Sequence, residues 1–366
     1  MCRNLFKYFK LLLLTWTLVG IDSSDLLSQN KQRTDSLERL LPSTKDTTRY
    51  SVLVKLHFEY RPEFQKALDY ARLAYNQAEA LGDSVKIVES GRLVAYSLDD
   101  LGRNDEVIEI LNRVLAIARR NVVRYPALKP QIKFILNNAG ISYMYKGNYD
   151  SALSYHFKSL ILREEEGDKR PIGNSHNNIG LVYFKLRNYQ RALYHYVQAL
   201  TIKDELKDTA DIERILTNIG LCYNQLQRPD DAIRSVERAL NSCGDNCSKN
   251  VLKEANFVFG VGYLGQRDLK NAEKHLTISF DIAKEQNDYR YWTENLFAFA
   301  KLENERGDYT KSLNYLFEAN TLAENYGFTE LRLDIYKESS KSYGLVNDFQ
   351  NQALFQGRYI NLKDSI

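Results

Sequence analysis

The sequence predicts an all-α solenoid of stacked antiparallel helix pairs, and three observations carry that expectation. A line of sequence recurs: Asn137–Leu153 reads NNAGISYMYKGNYDSAL, and Asn177–Leu193, forty residues on, reads NNIGLVYFKLRNYQRAL, with 8 of 17 positions identical. The period persists, because Gly140, Gly180, Gly220 and Gly260 share one phase and Ala300 and Ser340 continue it with small residues. Between these marks apolar residues recur at steps of three and four, as at Ile179, Val182, Tyr183 and Leu186, which is the spacing of one helix face. Self-similarity at such a period means supersecondary units that bury their apolar faces only by stacking.

The N-terminus is of another kind. Arg3, Lys7 and Lys10 precede the uncharged stretch Leu11–Ile21. That stretch is too short to span a bilayer, which takes about 20 apolar residues, but it suits the core of a secretory signal. Cleavage is expected after Ser28, giving a signal peptide over 1–28, a linker over 29–46 and the repeats over 47–366. Export, to a periplasm, follows; the alternative is an uncleaved N-terminal segment that anchors the chain in the membrane.

About eight repeats are expected. Tyr143, Tyr183, Tyr223 and Tyr263 follow the reference glycine by three, with Glu303 as the exception before Tyr343; Ala152, Ala192, Ala232, Ala272 and Ser312 follow it by twelve. Ala67 and the LGRNDEVIEIL segment from Leu101 extend the series upstream, and the interval from Ala95 to Gly140 is lengthened at Pro126 and Pro130. Each unit reads as a first helix, a turn such as Gly147-Asn148 or Arg187-Asn188, and a second helix such as Tyr189–Leu206. The small residues let the paired helices approach and the tyrosine fills the space beside them.

Small at the eighth position, aromatic at the eleventh and alanine at the twentieth, after a Gly-Asn-Tyr-like turn: the pattern resembles the tetratricopeptide repeat over nearly all the chain after residue 46. It departs from the common 34-residue form by about six residues, and in length is similar to the variant of kinesin light chains and bacterial signalling regulators. The excess is expected in the second helix and its exit, as in Leu160–Gly173. The resemblance implies a right-handed superhelix. The closing YINLKDSI is similar to the end of the repeat region in bacterial sensor kinases and regulators.

The repeated line also holds candidate binding residues. Asn138, Asn178 and Asn218 lie two residues before the glycine, about 200° around a helix from it, so they face away from the packed side. A primary amide pairs with a peptide N–H and C=O together. In tetratricopeptide proteins that grip extended peptides, asparagines at this phase line the groove, and the resemblance implies the same here. The bland alternative is that each asparagine bonds the neighbouring repeat. Asn174, Arg214, Lys185 and Gln225, beside Met144 and Phe184, are further groove positions, and no concentrated basic set suggests a carboxylate clamp.

Other features exclude more than they suggest. With 50 Lys+Arg against 47 Asp+Glu the net charge is +3, without the basic stripe that nucleic acid requires. GVGYLG at 260–265 matches a dinucleotide fingerprint, but that motif needs a preceding strand. Here it falls within an expected helix, so no cofactor is assigned, and the extra glycines are expected to soften that helix by about 1 kcal/mol each. Cys243 and Cys247 bracket a turn that a local disulfide would close, and Cys222 reads as a packing residue. The five histidines lack metal-ligand spacing, and no nucleophile motif or phosphate loop occurs.

Two functions follow as expectations. The first is a non-catalytic scaffold that holds a peptide or protein segment in its groove. The second is the sensor input of a bacterial signalling protein, associated with a membrane partner and lacking its output domain.

Overall fold

The computed structural model describes residues 23–365. Residues 1–22 of the signal peptide expected over 1–28, its apolar core among them, lie outside the described residues. Seventeen helices are described and no strand among these residues. The first, α1 (Ser23–Leu40), precedes eight consecutive pairs. These are α2 (Asp46–Glu59) with α3 (Phe64–Ala80), α4 (Ser84–Asp100) with α5 (Asn104–Asn121), and α6 (Leu128–Tyr145) with α7 (Tyr149–Glu166). Next come α8 (Lys169–Lys185) with α9 (Tyr189–Glu205), α10 (Ile212–Gln225) with α11 (Pro229–Cys243), and α12 (Lys249–Gly265) with α13 (Leu269–Glu285). Last are α14 (Tyr289–Arg306) with α15 (Tyr309–Asn325) and α16 (Thr329–Leu345) with α17 (Phe349–Asp364). The chain divides into two compact units, one ending at Val182 and the other beginning at Tyr183.

One turn design joins the helices within most pairs. A residue in the left-handed region ends the first helix: Gly102, Gly147, Arg187, Gln227, Arg267, Gly307 or Asn347. The next residue caps the second helix, and Asn148, Asn188, Asp268, Asp308 and Asp348 each accept the backbone N–H three residues on. Capping satisfies a donor that a helix start otherwise leaves unpaired.

The reference glycines are contact points. A Cβ on Gly140 would lie 2.8 Å from the His156 ring, on Gly220 2.9 Å from Val258, and on Gly260 2.6 Å from Leu276. The second and third glycines of GVGYLG pack as well: a Cβ on Gly262 would meet Ile233 at 3.0 Å and one on Gly265 would meet Pro229 at 3.2 Å. The three glycines of this helix thus sit at close approaches, tightest at Gly260.

The segment 29–46, expected as a linker, is helical through Leu40. Glu38 on α1 accepts the hydroxyls of Tyr60 and Tyr70, each at 2.7 Å, and Arg33 pairs with Glu59 at 2.9 Å. These partners dock the helix, which passes after Leu40 into a 3-10 turn over Leu41–Ser43, where Pro42 has no N–H to continue the α-helical ladder. The stretch 160–173, where excess length was expected in the second helix and its exit, carries α7 to Glu166 and the start of α8 at Lys169. Pro171 falls in the first turn of α8, where its missing N–H costs nothing.

A single register position closes several junctions between pairs, 23 residues after the reference glycine. Arg163 donates to the Pro171 carbonyl at 2.9 Å and to Ser175 Oγ at 2.7 Å, and Lys203 donates to the Ala210 carbonyl at 2.6 Å; both are buried. At the same position in the next pair stands Cys243, disulfide-bonded to Cys247 with their Cα atoms 4.9 Å apart.

Candidate functional site on the inner helix faces

First helices of successive pairs touch one another, α4 with α6, α10 with α12, α12 with α14 and α14 with α16, whereas second helices do not do so to a comparable extent. In each unit the first helices therefore crowd together on one side, the inner face, and groove chemistry belongs there.

In the first unit, Arg92 organises this face. Its guanidinium lies 5.1 Å from the Phe134 ring centre and 5.7 Å from that of Tyr96, donates to the Tyr96 hydroxyl at 3.1 Å, and bonds Gln131. Burial pushes the Tyr96 hydroxyl up, and Arg92 and Asn138 together bring it below its ordinary value. Asn138 also lines a cavity of about 50 Å³ with Tyr96, Asp99, Ile141 and Ser142, room for a small group or a water. Asn178 donates to Asn137 Oδ1 at 3.0 Å, so this asparagine joins neighbouring repeats. Asn174 is exposed on α8.

In the second unit, Asn218 is half-buried on α10, and no hydrogen bond involving its amide is found among the described residues. Arg214 is exposed and pairs with Asp211 at 3.6 Å. Lys185 is half-buried; desolvation lowers its pKa, as does Arg290, against Glu294 and Glu330. The asparagine series thus spans both units, and its three members have different surroundings.

Sequence reasoning missed the contact that distinguishes this face. Arg187 binds Asp334 through two parallel bonds, 3.1 Å to Oδ1 and 2.9 Å to Oδ2, and donates to the Glu330 carbonyl at 3.1 Å. The pair spans 147 residues, although repeats in an array ordinarily contact only their neighbours. Nearby, Arg290 pairs with Glu294 at 2.9 Å. Among the described residues no group of His, Cys, Asp and Glu is placed to hold a metal ion.

Comparison with known proteins agrees with this architecture. Models of the tetratricopeptide repeat match residues 134–205 and 213–246. No curated protein matches the chain. Among solved structures, the apo form of RapI is similar at TM-score 0.63 and 19% identity, covering 75% of this chain and 99% of its own. A Rap protein complexed with Competence and Sporulation Factor gives 0.59 at 15% identity, covering 92% and 98%. The apo quorum sensor NprR from B. thuringiensis gives 0.59 at 16%, covering 93% and 100%. With its repeat period, its helix pairs and these matches taken together, the chain is a protein of the tetratricopeptide-repeat type.

Proposed function

We propose that the chain is a non-catalytic interaction module that holds a peptide or an extended protein segment against its first helices. The observation that carries this reading is the inner face itself, where polar side chains stand along the first helices: Asn138 beside Tyr96 and Arg92 in one unit, Asn218, Lys185 and Arg214 in the other. Successive helices pack ~8–10 Å apart and an extended peptide advances ~3.3 Å per residue, so each rung meets about every third residue of a bound strand. One similar structure, a Rap protein, is a complex with Competence and Sporulation Factor, which supports a peptide ligand. A sensor role is the second reading, favoured by the likeness to the quorum sensor NprR across nearly the whole of both chains. Export through the N-terminal segment would put the module in the cell envelope.

The test is affinity capture from envelope extract with wild type, Asn138→Ala/Asn218→Ala and Asn178→Ala, each checked for folding by circular dichroism. Loss of a retained partner only with the folded double variant is the expected result. Asn178→Ala should chiefly cost stability, about 1 kcal/mol for a lost hydrogen bond. Identical retention by all three proteins would refute an asparagine-lined groove.

A further inference from the structure

Six residues before the reference position, unit 2 carries Arg214, Glu254, Glu294 and Asp334 on four successive first helices. Three of these charges are answered: Arg214 by Asp211, Glu294 by Arg290 and Asp334 by Arg187. Glu254 is not. It is half-buried on α12, and among the described residues no hydrogen bond or ion pair reaches its carboxylate. Lys253, its neighbour in sequence, is engaged elsewhere, with its ammonium over the Tyr291 ring, 5.0 Å from the centre, and bonded to Gln286 and Asp288. Desolvation raises the Glu254 pKa against the more distant pull of Lys253 and Arg214.

A desolvated carboxylate without a partner costs free energy, and a glutamine at the same place would avoid most of that cost. Retaining the charge suits a partner that arrives with the opposite charge. We propose that Glu254 receives a cationic group of the ligand, the side chain of a lysine or arginine in a peptide bound to the inner face of unit 2.

This assignment rests on the peptide-binding reading above and names the residue class it selects. The carboxylate's charge is felt at Tyr291, whose hydroxyl burial raises and the Glu254 and Glu294 charges raise further. The rung at Glu294 is already neutralised, since Arg290 pairs with it and Lys185 lies within its electrostatic reach. One cation is therefore accommodated rather than a basic run. The Arg187–Asp334 pair joins the turn after α8 to the last helix of this row, α16. A charge pair formed where water is partly excluded is stronger than one in bulk solvent.

The experiment uses fluorescein-labelled heptapeptide pools, random except for Lys, Gln or Glu fixed at the centre, titrated by fluorescence polarisation. The proteins are the full chain, Glu254→Gln and Glu254→Asp, with urea unfolding midpoints measured alongside. The wild type is expected to bind the Lys pool at least tenfold more tightly than the Glu pool. Glu254→Gln should erase that preference while unfolding at the same or a higher urea concentration, and Glu254→Asp should keep part of it. If wild type and Glu254→Gln discriminate the pools equally, or not at all while still binding them, the cation assignment falls and the peptide-binding reading stands. If the wild type binds no pool, both fall. A Glu254→Gln protein that loses binding together with a lowered urea midpoint marks Glu254 as structural and overturns the assignment.

Discussion

Replacing His156 by leucine should stabilise the first unit and remove much of its sensitivity to acid. His156 is 0% exposed beneath Gly140, and neither ring nitrogen has a hydrogen-bond partner. The corresponding position in later pairs holds Tyr196, Val236, Leu276 and Leu316, all buried in the core. Desolvation, with a smaller push from Arg163, lowers the pKa of this histidine from 6.5 to about 4. The sign follows from linkage. Between those values the unfolded chain takes up a proton that the folded chain refuses, so stability is lost as pH falls through 6.5 and the loss is complete below about 4. At 1.36 kcal/mol per pKa unit the total is about 3 kcal/mol. At pH 8, where the ring is neutral on both sides, the two unpaired nitrogens still cost about 1–3 kcal/mol. Leucine should therefore raise stability at pH 8 by an amount of that order. The assay is urea unfolding of wild type and His156→Leu from pH 8 to pH 4.5, taking the difference between them so that the other histidines cancel. A variant less stable at pH 8, with a difference that does not grow as pH falls, would refute the reasoning.

Two further predictions concern packing. Gly260→Ala should cost about 1–3 kcal/mol by overpacking, because the added carbon would sit 2.6 Å from Leu276. Gly357→Ala, on α17 with nothing within 4 Å of the added carbon, should instead gain about 1 kcal/mol of helix propensity; melting temperatures moving the same way for both would contradict the register. Cys247→Ser opens the loop closed by the disulfide and should cost up to about 2 kcal/mol on a chain-entropy account, measured as a drop in urea midpoint that reductant abolishes by lowering wild type to the same value.

The sequence made the helix pairs legible because packing at the small positions is largely local: a glycine in contact with the facing helix of its own pair recurs at 140, 220 and 260, at 220 with the next pair's Val258 closer still, and the recurrence is visible without coordinates. The long-range parts were not legible. No periodicity announces that Arg187 meets Asp334, since their meeting depends on how much each pair rotates relative to the last, a small quantity that accumulates over several repeats. Helix α1 was hidden because it precedes the first repeat and is held by single partners, Glu38 above all. The asparagine series was read as one feature, yet Asn178 bonds Asn137 while Asn138 sits against Tyr96; identical residues at one phase inherit different neighbours as the flanking side chains change. One signal was present and unread: Arg163, Lys203 and Cys243 stand forty residues apart, two long cations followed by a cysteine, at the end of each second helix.

That position bears on how such an array can change over time. Arg163 and Lys203 each fasten the following segment through one main-chain carbonyl and one side chain, Ser175 and Asp208 respectively, and a carbonyl is supplied by whatever residue occupies the site. The carbonyl half of each fastener therefore makes no demand on its neighbour's side chains, so the next repeat can drift, or be duplicated from elsewhere in the chain, without losing that half of its attachment. The junction at Cys243 works under the opposite rule. It holds only while a second cysteine is kept four residues on, a joint with no main-chain half to fall back on, so its two sides must be inherited together.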